Sequence, residues 1–282
     1  MRVLITGACG FTARYLRKLL AEDNRSELFL TDIHSDGNQN ILECDFTRPG
    51  DVESLIGKVF PERIYHLMGS FSNEYHIDYS TNVLSSKNIF DSLLKLKISA
   101  RSLLIGSAAE YGLIEPGDNP VSESHELRPV RIYGLTKAFQ SCLMDYYHRV
   151  YGMDIVMART FNLFGDGSLI STRLFLGEID QQIERLKKRE ISAIMVGNLE
   201  SKRDYIDVED AVQLYQKIME NGQAGEVYNV GSGQCVEMRD LLARLLNESG
   251  LDMSVVQEKK LAVPDKTDVS EIYSDLRKIR EL

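Results

Sequence analysis

The chain alternates short apolar runs with longer stretches in which apolar residues return every three or four positions. The short runs predict buried strands over 2–6, 27–32, 41–44, 63–67, 101–106 and 154–159. Between them, Tyr15-Leu16 with Leu19-Leu20, Val52 with Leu55-Ile56, and Ile89-Phe90 with Leu93-Leu94 each mark one face of a helix. A further helix is predicted over about 134–150. Strand and helix in regular turn predict right-handed βαβ crossovers and a doubly wound parallel sheet, an α/β fold. Beyond about residue 165 the rhythm changes. A charged helix over roughly 173–189, a strand at 193–197, a helix at 207–221, a strand at 226–230 and a helix at 237–249 predict a smaller α/β lobe. The expected division is a sheet domain of 1–165 plus about 205–230, with the second lobe made of about 166–204 and 231–282.

Composition narrows the function classes. The 282 residues are 43% apolar, enough to fill a core and too apolar for a disordered chain. The formal charge of −9 argues against a nucleic-acid partner, which needs a basic face, but leaves room for one local diphosphate pocket. Cys9, Cys44, Cys142 and Cys235 lie far apart with no metal-ligand spacing, so reduced thiols and no metal site are expected. With no apolar stretch near the length of a membrane span or secretory segment, the expected location is the cytoplasm, without a membrane partner.

The segment from Thr6 to Ala13 reads TGACGFTA and joins the first predicted strand to the first helix. Gly7 permits a tight turn, Gly10 lets the backbone approach a pyrophosphate at the helix N-terminus, and Ala13 allows close helix–strand packing. Asp32 closes the second strand, where a carboxylate can accept hydrogen bonds from both adenosine ribose hydroxyls and repel a 2′-phosphate. Ile33, His34 and Ser35 follow it without an arginine, which favours NADH over NADPH. Asp45 is placed either to meet the adenine amino group or to cap the turn from Thr47 to Asp51.

Tyr133 and Lys137 stand four residues apart, on one helical face. A free phenol titrates near 10, so a neighbouring ammonium, aided by an oxidised nicotinamide, is expected to lower the Tyr133 pKa. Ser107 immediately follows the strand Ser102–Gly106. A hydroxyl there sits where open α/β sheets bind ligands, and could meet the carbonyl that Tyr133 protonates. Asn82 either anchors the Lys137 region or packs its helix.

The ordered set TGxxGF, Asp32, Asn82, Ser107 and Tyr133-x-x-x-Lys137 resembles the extended short-chain dehydrogenase/reductase family over nearly the whole chain. The resemblance implies a Rossmann-type domain binding NAD(P)H, a smaller lobe binding a nucleotide sugar, and a homodimer built through the helices near 80–97 and 134–150. It implies Ser107, Tyr133 and Lys137 as catalytic groups. It also implies Gly7, Gly10, Phe11, Thr12, Asp32, Asp45, Phe46, Leu67 and Asn82 at the cofactor, together with Tyr133 and Lys137.

Dehydratases of that family carry carboxyl residues just after the catalytic hydroxyl, where this chain has Ala108 and Ala109. Glu110 follows, in the register of a glutamate before Tyr-Gly in reductase relatives, and is assigned with Ser107 to the substrate. ARTFNLFGDG at 158–167 resembles the family's substrate loop and puts Asn162 at the sugar diphosphate. VGNLESKRDYIDVEDAV at 196–212 resembles a segment of its GDP-mannose branch, implying Arg203 and Asn198 at the nucleotide. Arg173 is either a second phosphate contact or a solvated helix arginine. The expected activity is therefore reduction of the C4 keto group of a GDP-4-keto-6-deoxy-hexose, of the GDP-D-rhamnose-forming type. The alternatives are a nucleotide-sugar 4-epimerase, a reductase of another GDP- or dTDP-keto-sugar, and a non-catalytic cofactor sensor. Two departures bear on the sugar: Val263-Pro264 replaces an Arg-Pro pair, and Arg131-Ile132 replaces the Ser-Pro before the catalytic tyrosine.

Overall fold

In a computed structural model, which describes residues 1–22, 25–35, 37–165, 175–259 and 269–282, the first apolar run forms β1 (Arg2–Thr6). Val3, Leu4 and Ile5 are all buried, as a strand covered on both faces requires. Next come α1 (Phe11–Ala21), β2 (Glu27–Asp32), β3 (Ile41–Glu43), α2 (Pro49–Val59) and β4 (Arg63–His66). The chain continues through α3 (Tyr75–Tyr79), a π-helical turn at Ser80–Leu84, α4 (Ser85–Leu96), β5 (Arg101–Ser107), α5 (Ile132–Tyr151) and β6 (Ile155–Thr160). Then follow β7 (Asn162–Phe164), α6 (Phe175–Lys187), β8 (Ile194–Val196), β9 (Lys202–Arg203), β10 (Tyr205–Asp207) and α7 (Val208–Asn221). The described chain closes with β11 (Val227–Val230), β12 (Val236–Glu237), α8 (Met238–Glu248), β13 (Val256–Glu258), β14 (Glu271–Ile272) and α9 (Arg277–Arg280).

Seven strands form one parallel sheet in the order β11-β6-β5-β4-β1-β2-β3. The direction of winding reverses between β1 and β4, which opens a crevice above the carboxyl ends of those strands. One face is covered by α1 and α7, through Leu16, Leu20, Val212, Tyr215 and Met219. The other is covered by α2, α4 and α5, through Ile56, Ile89, Phe90, Leu93, Met144 and Tyr147. Burying each such aliphatic or aromatic side chain stabilises the fold by about 1.5–3 kcal/mol. This is the doubly wound α/β sheet that the sequence predicts.

The later residues make smaller sheets, β7 with β10, β8 with β13, and β12-β9-β14. An apolar cluster of Ile179, Ile183, Ile194, Val196, Leu242 and Leu246 joins α6, α8 and β8. Buried Asp204, between β9 and β10, locks this region to the main sheet. Its Oδ1 accepts from the Ser232 backbone N–H and Oγ, each at 2.7 Å. Its Oδ2 accepts from the Gly233 N–H (3.0 Å), the Ser274 N–H (3.0 Å) and the Ser274 Oγ (2.5 Å). The turn after β11 and the segment before α9 are thus held on one carboxylate.

Candidate active site

The turn between β1 and α1 lies against the chain leaving β4. Gly7 has φ of +67°, and a Cβ there would sit 2.9 Å from the Met68 backbone, so both the conformation and the close approach call for glycine. Gly10 is the N-cap of α1 and makes no side-chain cap. No side-chain cap therefore takes up the first-turn N–H groups, from Phe11 and Thr12 onward, an arrangement suited to an anion. Asp32 ends β2, and its carboxylate accepts from the Cys9 N–H at 2.9 Å and the Ile33 N–H at 2.8 Å. Beside it, Cys9, Arg14, Arg17, Lys18, Ser35 and Asn38 line a cleft of about 650 Å³. Donors for a pyrophosphate and an acid for ribose hydroxyls fit a dinucleotide in this crevice.

The other expected cofactor residues divide. Asp45 caps its turn: Oδ1 accepts from the Thr47 N–H (3.0 Å) and Oγ1 (2.6 Å), while Oδ2 lies 3.2 Å from Arg48 Nε. Phe46 is buried in the layer under α2 and α4, and Leu67 packs against the α1 and α7 layer. Asn82, fully buried in the π-helical turn, donates to the Ser70 carbonyl (2.8 Å) and Thr136 Oγ1 (3.0 Å) and accepts from the Ser70 N–H (2.8 Å). It thereby ties the loop after β4 to α5, one residue from Lys137.

Ser107, Tyr133 and Lys137 converge at the carboxyl end of β5. The Ser107 side chain accepts from the Ala109 N–H at 3.2 Å and lies near enough to the Tyr133 phenol to lower its titration. Tyr133 lies in the first turn of α5, with its N–H on Asn73 Oδ1 at 3.3 Å and its ring edge-on to Phe71. One turn on, buried Lys137 donates from Nζ to the Ile105 carbonyl (2.8 Å) and Gln140 Oε1 (3.1 Å).

Burial pushes the Tyr133 phenol up to about 12; the Ser107 hydrogen bond opposes this, while Glu110 and Asp78 add to it. This reverses the expectation that Lys137 draws the phenol down: the ammonium is directed back onto the strand carbonyl, and loss of hydration dominates. Burial also lowers Lys137 to about 8, against the carboxylates of Glu110 and Asp78. Near neutral pH the pair is a neutral phenol beside an ammonium.

Glu110, expected at the substrate, turns the other way. It is fully buried, with Oε1 on the Ser107 N–H (2.7 Å) and Oε2 on Ser141 Oγ (2.5 Å) and Arg159 Nε (3.0 Å). Arg159, which lies within the segment 158–167 but carries no expected role, also stacks over the Tyr111 ring at 4.7 Å. Its one sequence signal is a charge inside the otherwise apolar strand β6. Asn162 opens β7 and donates from Nδ2 to the Asp204 carbonyl at 2.9 Å. Arg203 lies on β9, with Nη1 on the Lys202 carbonyl at 2.9 Å. Asn198 is exposed and caps its own turn through the Glu200 N–H at 2.9 Å. Arg173 lies outside the described residues.

Residues 3–231 match the NAD dependent epimerase/dehydratase family. The chain belongs to that family. Its members are NAD(P)-dependent enzymes that modify nucleotide sugars. A GDP-6-deoxy-D-mannose reductase from Pseudomonas aeruginosa is 27% identical over 263 residues, covering 91% of this chain and 83% of the relative. A putative UDP-glucose 4-epimerase from Methanocaldococcus jannaschii is 26% identical, covering 99% of this chain and 92% of the relative. Among solved structures, RMD from Pseudomonas aeruginosa complexed with NADPH superposes with a TM-score of 0.85 at 22% identity, over 99% of this chain and 91% of that one. No helix among the described residues is long and apolar enough to cross a membrane.

Proposed function

We propose that the chain is a reductase of a nucleotide-linked 4-keto-6-deoxy-hexose, a GDP-sugar of the GDP-D-rhamnose-forming type. The observation that carries the reading is the convergence of Ser107, Tyr133 and Lys137 at the end of β5, beside alanines and not acids at 108 and 109. A reductase needs a proton donor at the carbonyl oxygen. A 4,6-dehydratase needs a second acid–base pair, and the nearest carboxylate, Glu110, is committed to Arg159 and Ser141.

Bound NAD(P)H supplies the hydride that reaches C4. Tyr133 gives its proton to the C4 oxygen, so the carbonyl becomes a hydroxyl, and the phenolate left behind is reprotonated from solvent. Ser107 donates to the same oxygen and polarises it. Lys137, with its ammonium fixed on the Ile105 carbonyl, would hold the cofactor ribose beside Tyr133. Gly7, Gly10, Phe11 and Thr12 cradle the pyrophosphate, and Asp32 accepts from the ribose hydroxyls, which favours NADH. Asn162, Asn198 and Arg203 are assigned on this reading to the nucleotide-diphosphate contact. The similarity to a GDP-6-deoxy-D-mannose reductase over 91% of the chain supports the GDP-sugar.

A 4-epimerase would use the same three groups, and the likeness to a putative UDP-glucose 4-epimerase keeps that as the second reading. The test is to mix the protein with GDP-4-keto-6-deoxymannose and NADH. Loss of reduced-nicotinamide absorbance equal to the sugar consumed is the expected result. Sugar isomerisation with no net loss of NADH overturns reduction.

A homodimer is part of the same proposal. Tyr75, Ile77, Phe139, Tyr146, Val150 and Tyr151 are exposed on α3 and α5, where a second copy would cover them. Light scattering should return twice the chain mass, and Phe139→Asp should reduce it to one.

A further inference from the structure

Tyr133, Lys137 and Ser141 follow one another at intervals of four residues along α5, so they share one stripe of that helix. The first two are assigned to the reaction; the third meets Glu110. The Glu110 carboxylate reaches the main chain of Ser107 with one oxygen and the Ser141 hydroxyl with the other, at 2.7 and 2.5 Å. It therefore spans from the strand end that carries the carbonyl-polarising hydroxyl to the helix that carries the proton donor.

Two neighbours build this contact. Gly106 makes room: a Cβ there would lie 2.5 Å from Glu110 Oε1 and 3.0 Å from Met157 Sδ. Arg159, opposite Gly106 in the β5–β6 register, brings Nε and Nη2 each to 3.0 Å from Oε2. Arg159 is itself anchored by Nη1 on the Tyr111 hydroxyl at 3.1 Å, and that hydroxyl donates to Asn229 Oδ1 at 2.7 Å. Both charged side chains are buried, Glu110 completely and Arg159 to 3% exposure. A buried ion pair is a weak source of stability, since apolar residues of similar volume often serve the fold as well or better. What this pair provides is a fixed geometry.

We propose that Glu110, held by Arg159 and Ser141, is a positioning residue that fixes the Ser107 main chain relative to Tyr133 and Lys137. The proposal rests on the reading of those three as the reacting groups. Glu110 also places a negative charge behind them. The charged and titratable groups around Tyr133 are Glu110, Asp78, Lys137, Arg159 behind Glu110, and the Tyr215 hydroxyl from α7. Glu110 favours the protonated form of both the phenol and the ammonium, adding to the effect of burial at the phenol and opposing it at the ammonium. Removing its charge while Arg159 stays must move both titrations to lower pH.

Two variants separate positioning from bulk stability. Glu110→Gln keeps an oxygen for the Ser107 N–H and loses the charge. The double variant Glu110→Leu/Arg159→Leu leaves no unpaired buried charge, so it folds, but it has no acceptor for that N–H. The double variant is expected to bind NADH within about twofold of the parent and to lose about 10- to 100-fold in kcat, the scale of a small misplacement of reacting groups. In Glu110→Gln the alkaline limb of kcat moves to lower pH. Ultraviolet difference absorbance against Tyr133→Phe, which needs no substrate, shows the phenol ionising earlier than in the parent. A folded double variant with parental kcat, or a Glu110→Gln phenol titrating where the parent's does, overturns the proposal. Failure of the parent itself to oxidise NADH with a keto-sugar instead strikes the functional reading, and leaves the phenol titration to judge Glu110.

Discussion

The Lys137 ammonium lies 2.8 Å from the carbonyl oxygen of Ile105, two residues before Ser107. Helix α5 is therefore joined to the end of β5 by a charged hydrogen bond as well as by packing. The separation between phenol and strand-end hydroxyl depends on that bond.

Burying the ammonium to make that bond has a cost that can be measured. Lowering Lys137 from 10.5 to about 8 corresponds to roughly 3 kcal/mol against the charged form in the folded chain. Because the folded pKa is the lower one, the penalty is complete below about pH 8 and disappears as pH rises to the unfolded value of 10.5. Lys137→Met is expected to melt above the parent at pH 7, with the gap closing between pH 8 and 10.5, while turnover is lost. Thermal denaturation across that range checks this; a gap that widens with pH contradicts it.

Asp204 should behave in the opposite way. Five hydrogen bonds converge on its buried carboxylate. Asp204→Ala leaves those donors without an acceptor, at about 3–5 kcal/mol. With a shift of about 2–4 °C per kcal/mol for a chain of this size, the melting temperature should fall by roughly 10 °C. A change within a degree or two would mean that the turn after β11 is held by something else.

Asp32 is the residue proposed to discriminate between the two nicotinamide cofactors. Its carboxylate disfavours a 2′-phosphate, yet Arg14, Arg17 and Lys18 line the adjoining cleft. Asp32→Asn removes the repulsion and keeps the cations. Calorimetric titration should show NADPH binding at least about tenfold tighter than to the parent, equal to about 1.4 kcal/mol, while NADH weakens. Parallel loss of both cofactors would deny Asp32 a discriminating role.

Much of the sheet can be read from the sequence because parallel strands buried on both faces must be apolar throughout. The predicted runs at 2–6, 27–32 and 101–106 recur as β1, β2 and β5 within a residue. Strands β9, β12 and β14 have two residues each, too few for any periodicity, and their region is organised by the carboxylate of Asp204. In the candidate site, Gly7, Asp32, Ser107, Tyr133 and Lys137 could be picked out because each stands at a strand end or at a helical spacing that chemistry constrains. The orientation of Glu110 could not, since it depends on Arg159, 49 residues away. The direction of the Tyr133 shift was hidden for a related reason. Four-residue spacing brings Lys137 near, but says nothing of the burial that raises the phenol or of the carbonyl that takes the ammonium.

In the proposed reduction the decisive proton is the one that Tyr133 gives to the C4 oxygen. Tyr133→Phe removes that proton and little else, so it should bind NADH with parental affinity while single-turnover reduction of GDP-4-keto-6-deoxymannose slows by about 10²- to 10⁴-fold. Reduction at the parental rate by this variant would contradict the assignment.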